Sequence, residues 1–385
     1  MAEVALTFPN LKLLLLSATT EPMLLDALSK SYRCLCSLSS DTPLLELACR
    51  LLLQNQLFLN DNPPQLDFTV VDTTLTSLNY KYRLSSQVLD YPLPSSPTPL
   101  SLSPLYKSNV RAFDDALSIS SFEHLKSTFS IDSSYWSSHN YNDGSSPDAT
   151  PSPYFSYVVD VAELDETTDA TLLAIKELFC KCSRDVTSAI AGASQIEFWA
   201  HKRPHSSGHQ FHFDSDNEGC GGEEPKHPIA SAVLYLTGEQ VGGPTLVTPQ
   251  RPNSRKCASE GWLVFPKTNR LSCFDGSVLH GVVPGKGVAA GGLRITLMFA
   301  FWKEDIRVRV NEGGKFCAAM KWPPPDLPTK KSSAESESES ESTSTEALPI
   351  QINQIFQDID ATRNKKEGHS LRRVGVVPYE QIFQF

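Results

Sequence analysis

The chain has no long Lys/Arg run, and across its 385 residues the formal net charge is −10. Nothing in that balance favours a phosphate-backbone partner, so no nucleic-acid role is expected. No stretch approaches the roughly 20 consecutive apolar residues of a membrane helix, so no membrane partner is expected either. The longest early apolar run, Leu13 to Leu16, is too short for a signal peptide. Glu3, Glu21 and Asp26 argue against an organelle transit segment, which leaves the cytoplasm as the expected location. The nine cysteines lack the C-x₂-C spacing of zinc knuckles, since Cys34/Cys36 and Cys180/Cys182 are C-x-C pairs. An odd set without that spacing reads as mostly buried thiols in a reducing compartment.

What is present is globular: 40% of residues are hydrophobic, and the length suffices for a full core. Residues 1–90 read as a partly helical N-terminal region of open role. Met23 to Leu28 and Leu44 to Leu53 have helical spacing, and Asp67 to Asp72 is strand-like. Residues 91–153 are rich in Ser and Pro and read as an irregular linker, with one helix expected from Val110 to Leu125. Residues 154–323 form the best-organised region. It opens on the strand-like Phe155 to Val161, followed by a helix expected from Thr167 to Ile190, capped by Asp165 or Thr167 and ended by Gly192. Its apolar stripe, Leu172, Ile175, Leu178, Cys182 and Val186, should face a sheet. Eight short strands follow, near Gln195, Gln210, Ala230, Pro244, Trp262, Arg270, Ser277 and Leu293, a pattern that suggests a sandwich or jelly roll. Residues 324–347, with their Ser/Glu repeat, read as a disordered spacer. The tail, 348–385, places Ile350, Ile352, Ile355, Phe356 and Ile359 at partly helical spacing. It is expected to dock back on the main domain, with binding to another protein as the alternative.

Four residues carry the chemistry. His212 and Asp214 stand two apart in His-Phe-Asp. His280 ends a strand-like run, and Arg294 is second in Leu-Arg-Ile-Thr-Leu-Met-Phe-Ala-Phe-Trp. Two imidazoles and one carboxylate are the donor set of a facial iron(II) site that keeps positions open for a cosubstrate and oxygen. A 2-oxoacid with a distal carboxylate needs a buried cation, and an arginine fork takes a carboxylate in bidentate fashion. Thr296 shares the face of Arg294, and Tyr235 stands on a neighbouring strand; either hydroxyl could add a hydrogen bond. Each piece alone is common. A lone His on a strand is more often structural than a ligand, and His201, His205, His209 and His227 crowd the same stretch. Order, spacing and strand context together give the pattern its weight. His209 and Asp216 are candidates to orient a ligand, with solvent-facing turn residues as the plain alternative. Glu218 to Lys226 reads as a loop able to cover a substrate.

Residues Gln195 to Trp302 resemble the iron(II)- and 2-oxoglutarate-dependent dioxygenases, within them the prolyl 4-hydroxylase-like branch. The resemblance rests on His212-Phe-Asp214, Val233-Leu-Tyr-Leu, Gly242-Gly-Pro-Thr, Phe274-Asp-Gly-Ser-Val-Leu-His and Arg294. Arg294 stands where animal collagen prolyl hydroxylases have Lys, and Pro244 replaces the commoner Glu after Gly-Gly, so a proline substrate does not transfer automatically. The resemblance implies an α+β protein with a double-stranded β-helix (jelly roll) core, flanking helices and a less regular N-terminal region. It implies Fe(II) on His212, Asp214 and His280, 2-oxoglutarate on Arg294, Thr296 and Tyr235, and ascorbate as a reductant. The implied activity is a hydroxylase, an oxidoreductase acting on a protein side chain such as proline or on a small molecule. Its oligomeric state stays open. The reading from another class is a non-catalytic jelly-roll module that recruits protein partners.

Overall fold

The computed structural model describes residues 82–84, 110–139, 141, 156–204, 209–216, 225–238, 241–252, 258–283, 293–304, 306, 322, 344–345, 347–352 and 356–358. The expected helices of 1–66, the strand at 67–72, most of the 218–226 loop and most of the Ser/Glu spacer lie outside these residues.

Among the described residues, two antiparallel sheets face each other. The larger has seven strands: β2 (Val110–Phe113), β3 (Tyr157–Asp160), β4 (Gln195–Pro204), β6 (Ala230–Tyr235), β9 (Arg270–Asp275), β11 (Leu293–Trp302) and β12 (Ser344–Thr345), in the order β12-β2-β9-β6-β11-β4-β3. The smaller has five: β5 (His209–His212), β7 (Thr245–Val247), β8 (Glu260–Val264), β10 (His280–Val282) and β13 (Leu348–Gln351), in the order β13-β8-β7-β10-β5. A separate two-stranded ribbon pairs β1 (Tyr82–Leu84) with β14 (Phe356–Asp358). From β4 to β11 the chain passes back and forth between the two sheets.

Strand parity separates the layers, because successive side chains point to opposite faces. On β11, Ile295, Leu297, Phe299 and Phe301 join the core beneath the helices. Arg294 and Met298, of the other parity, turn toward the small sheet and line a cleft. Ile175, Leu178 and Cys182 of α3 (Ala170–Asp185) pack into the same helix-side core, as do Phe122 and Leu125 of α1 (Ile119–Thr128) and Tyr135 and Trp136 of α2 (Ser134–Ser138). A second core joins Val233, Tyr235 and Phe274 of the large sheet to Val247, Trp262 and Val264 of the small one. Among the described residues no helix is long and apolar enough to cross a membrane.

Several boundaries differ from the sequence expectations. The helix expected from Val110 is a strand, because Val110 and Ala112 are buried, Arg111 is exposed, and all four residues of β2 pair with β9. Asp115, at φ 50°, breaks that strand, and the Ser118 hydroxyl then caps α1 by accepting from Ser121 N. The span expected as an irregular linker therefore contributes a strand and two helices to the core. α3 is capped by Asp169, whose carboxylate accepts from Thr171 N and Leu172 N; Asp165 ends a 3-10 turn instead. The helix stops at Asp185, because Thr187 is extended and starts a new 3-10 turn, Ser188–Gly192. Of the tail, Leu348–Gln351 docks back as the strand β13, with Ile350 buried, while Ile355, Ile359 and most of the expected helical spacing lie outside the described residues.

Candidate metal centre

Neighbouring strands bring the two histidines together. β5 pairs antiparallel with β10, and His212 and His280 are register partners whose ring centroids lie 4.4 Å apart. Asp214 sits two residues past the end of β5. One ligand atom from each of His212, Asp214 and His280 lies within 4.8 Å of the others. His212 Nε2 is 3.4 Å from Asp214 Oδ1, and His280 Nε2 is 3.7 Å from Asp214 Oδ2. His280 Nδ1 hydrogen-bonds to the Val278 carbonyl at 3.0 Å, so the proton belongs on Nδ1 and the lone pair of Nε2 is left facing the cluster. His280 opens its strand instead of closing one, because Asp275 ties Ser277 into a turn through the Ser277 amide and hydroxyl.

Gly281 permits the close approach of these strands. A Cβ there would lie 2.9 Å from the His209 carbonyl oxygen and 2.6 Å from the Phe211 ring. Asp214 is fixed from two sides. Ser231 donates to its Oδ2 at 2.5 Å, and His227 Nδ1 meets its main-chain oxygen at 2.6 Å. Burial alone would raise the Asp214 carboxyl, but His280, His212 and Ser231 outweigh it and hold it far below the usual carboxylate range. Burial pushes His280 down to about 4, against the upward pull of Asp214. The cluster thus offers one carboxylate and two imidazoles, a donor set that fits a divalent cation.

The cleft, about 690 Å³ including its mouth, runs from this cluster to Arg294. Arg294 is 8% exposed, and among the described residues no carboxylate pairs with it. Its Nη1 donates to Thr296 Oγ1 at 3.3 Å and its Nη2 to Thr245 Oγ1 at 3.1 Å, while its Nε finds no partner. An orphaned buried donor costs roughly 1–3 kcal/mol, so the site suits an anion that would satisfy it. Tyr235 stands beside Arg294. It donates to the Val264 carbonyl at 3.0 Å and shares a 2.6 Å hydrogen bond with Thr245 Oγ1. Its ring lies under the Arg294 guanidinium, 5.2 Å from centroid to Cζ. Tyr235 therefore orients Arg294 through Thr245 and ring stacking, and its proton is already committed. Asp216 is buried and accepts from Lys226 N at 2.9 Å, closing the loop beyond the cluster. His209 lies edge-on to His212, with centroids 5.1 Å apart.

Sequence reasoning missed Ser231, Thr245, His201 and Arg203. Only strand parity could have pointed to them, since residues on the cleft-facing register of β4, β6 and β7 share that wall.

No protein-family model matches the chain, and no curated protein matches it. Solved structures do. A Pseudomonas putida prolyl-4-hydroxylase is 16% identical, with 52% of this chain and 95% of that one covered and a TM-score of 0.33. An oxidoreductase of the 2OG-Fe(II) oxygenase family from Burkholderia pseudomallei is 20% identical, with 32% and 47% covered and a TM-score of 0.19. HygX from Streptomyces hygroscopicus, with nickel and 2-oxoglutarate bound, is 10% identical, with 56% and 91% covered and a TM-score of 0.32. The structures that this chain resembles thus include a prolyl-4-hydroxylase, a 2OG-Fe(II) oxygenase and a protein that binds 2-oxoglutarate.

Proposed function

We propose that the chain is an Fe(II)- and 2-oxoglutarate-dependent dioxygenase that hydroxylates a C–H bond. The observation that carries this is one cleft with a His-Asp-His cluster at one end and a buried arginine, one donor unsatisfied, at the other. The passage of strands between two facing sheets supports the double-stranded β-helix reading.

His212, Asp214 and His280 would hold the metal. With both groups bound, the site supplies oxidative hydroxylation: one oxygen atom enters a C–H bond of the substrate, the other enters succinate, and CO₂ leaves. The chain's own residues do the positioning. Val278 holds the proton of His280 on Nδ1, and Ser231 holds Asp214 Oδ2. Arg294, stacked on Tyr235 and bonded to Thr245 and Thr296, offers its guanidinium to a distal carboxylate. Trp199, Val233, Phe274 and Met298 supply apolar walls that limit water. A protein side chain such as proline and a small molecule are both substrates of this class.

The test is anaerobic addition of Fe(II) and then 2-oxoglutarate to the purified chain. A visible charge-transfer band is expected, absent in His212→Ala. No band from folded, metal-loaded protein would overturn the proposal and favour the binding-module reading.

A further inference from the structure

The cleft holds a second group of donors that neither the metal cluster nor Arg294 uses. β4 turns Trp199, His201 and Arg203 into the cleft, every second residue. His209 of β5 faces them, its ring 5.5 Å from that of His201 and 5.1 Å from that of His212. Tyr141 engages His201 at Nδ1, at 3.2 Å, which leaves Nε2 for the cleft. Arg203 is the register partner of Arg294, yet Arg294 leans the other way, toward Tyr235 on β6 and Thr245 on β7. Among the described residues, no hydrogen bond or ion pair engages the Arg203 side chain. One side of the cleft therefore has an arginine already seated among hydroxyls. The opposite side, between β4 and β5, has a free guanidinium beside two imidazoles.

We propose that Arg203, His201 and His209 form a carboxylate-binding subsite for the primary substrate, an organic acid with a short apolar body. This rests on the proposed function, and it names the substrate class. A molecule of 2-oxoglutarate has one distal carboxylate, and Arg294 takes it. The remaining donors border His212, so an acid held there presents its neighbouring carbons to the metal position. The apolar body follows from Trp199 and Met298, register partners on the same face as Arg203. Trp199 and Arg203 are about 13 Å apart along the strand at about 3.3 Å per residue. An arginine side chain and a short carbon chain together span that distance.

Calorimetry on the full chain tests this with 3-phenylpropanoate and its neutral amide as probes. With anaerobic Fe(II) and 2-oxoglutarate occupying Arg294, the acid should bind the native protein at least about tenfold tighter than the amide, a gap of about 1.4 kcal/mol. Arg203→Ala and Arg203→Gln should both reduce that gap below about twofold, and both should leave 2-oxoglutarate affinity unchanged. Without metal or cosubstrate, the gap should persist in Arg294→Ala and vanish in the Arg294→Ala/Arg203→Gln double variant. Equal binding of acid and amide by the native protein would overturn the subsite, as would a gap that survives loss of Arg203. A drop in 2-oxoglutarate affinity in Arg203→Gln as large as in Arg294→Ala would reassign Arg203 to the cosubstrate. The metal-free arm reads the subsite independently, so failure of the charge-transfer band sinks the proposed function alone.

Discussion

His212 and His280 are register partners on adjacent antiparallel strands, with ring centroids 4.4 Å apart. Backbone pairing therefore sets their separation, and only Asp214 is placed by side-chain contacts from outside the pair. Metal affinity should respond to two different kinds of change, to the backbone at the β5–β10 pair and to the hydroxyl on Asp214.

Ser231→Ala removes the 2.5 Å hydrogen bond to Asp214 Oδ2. Loss of such an outer partner typically costs about 10–100-fold in metal affinity. A titration with Fe(II), or with Co(II) as a spectroscopic substitute, should show that loss in a protein that still unfolds cooperatively. An affinity equal to the native value would mean that Ser231 does not position the carboxylate.

Asp214→Ala should abolish turnover and metal binding while leaving the fold intact, because the carboxylate serves the cluster and not the core. Retained hydroxylation, measured as succinate released with substrate, would remove Asp214 from the metal shell.

Arg294→Ala should weaken 2-oxoglutarate by about 2–5 kcal/mol, the usual cost of truncating one partner of a buried charged contact. Thr245→Val should cost less, since it only loosens the seat of the guanidinium. An Arg294→Ala protein with native cosubstrate affinity would defeat the anchor assignment.

Gly281→Ala should push β5 away from β10, because the new methyl would stand 2.9 Å from a backbone oxygen. The expected result is a metal site weakened in a protein that still unfolds cooperatively. Native metal affinity in that variant would show that the pair can open without cost.

Asp114 gives a stability prediction remote from the cleft. Burial would raise its carboxyl, but hydrogen bonds and charge from Arg270 and Lys267 outweigh that and hold it below the ordinary 3.8. Its contacts are Arg270 Nε at 2.6 Å, Arg270 Nη2 at 3.1 Å and Lys267 Nζ at 2.7 Å. A carboxyl with a lowered folded-state value contributes fully above its unfolded value, and the contribution fades as pH falls through the folded one. Asp114→Asn should therefore destabilise by about 3 kcal/mol at neutral pH. The difference from the native protein should shrink below about pH 4, where the unfolded carboxyl takes up its proton. Urea midpoints at pH 7 and pH 3.5 would read this, and a gap that is constant with pH would sink the linkage.

The grouping of His212, Asp214 and His280 was legible because these residue types are rare in combination and lie in a fixed order. β11 was legible to its exact ends, since ten residues run from Leu293 to Trp302 without a breaker. The donors on the cleft wall were not. Ser231, Thr245 and Arg203 are ordinary residues until the facing strand is known, and nothing local marks which parity looks inward. β2 was mistaken for a helix for a related reason: four residues cannot display a period, and its state is set by β9, far along the chain.

β13 closes the outer edge of the small sheet beside β8, and it comes from the chain's C-terminal segment. During synthesis, β8 emerges before β13, and the row of amides and carbonyls that β13 pairs stays open until residues 348–351 have left the ribosome. For that interval the nascent chain carries an open edge that any extended segment can join.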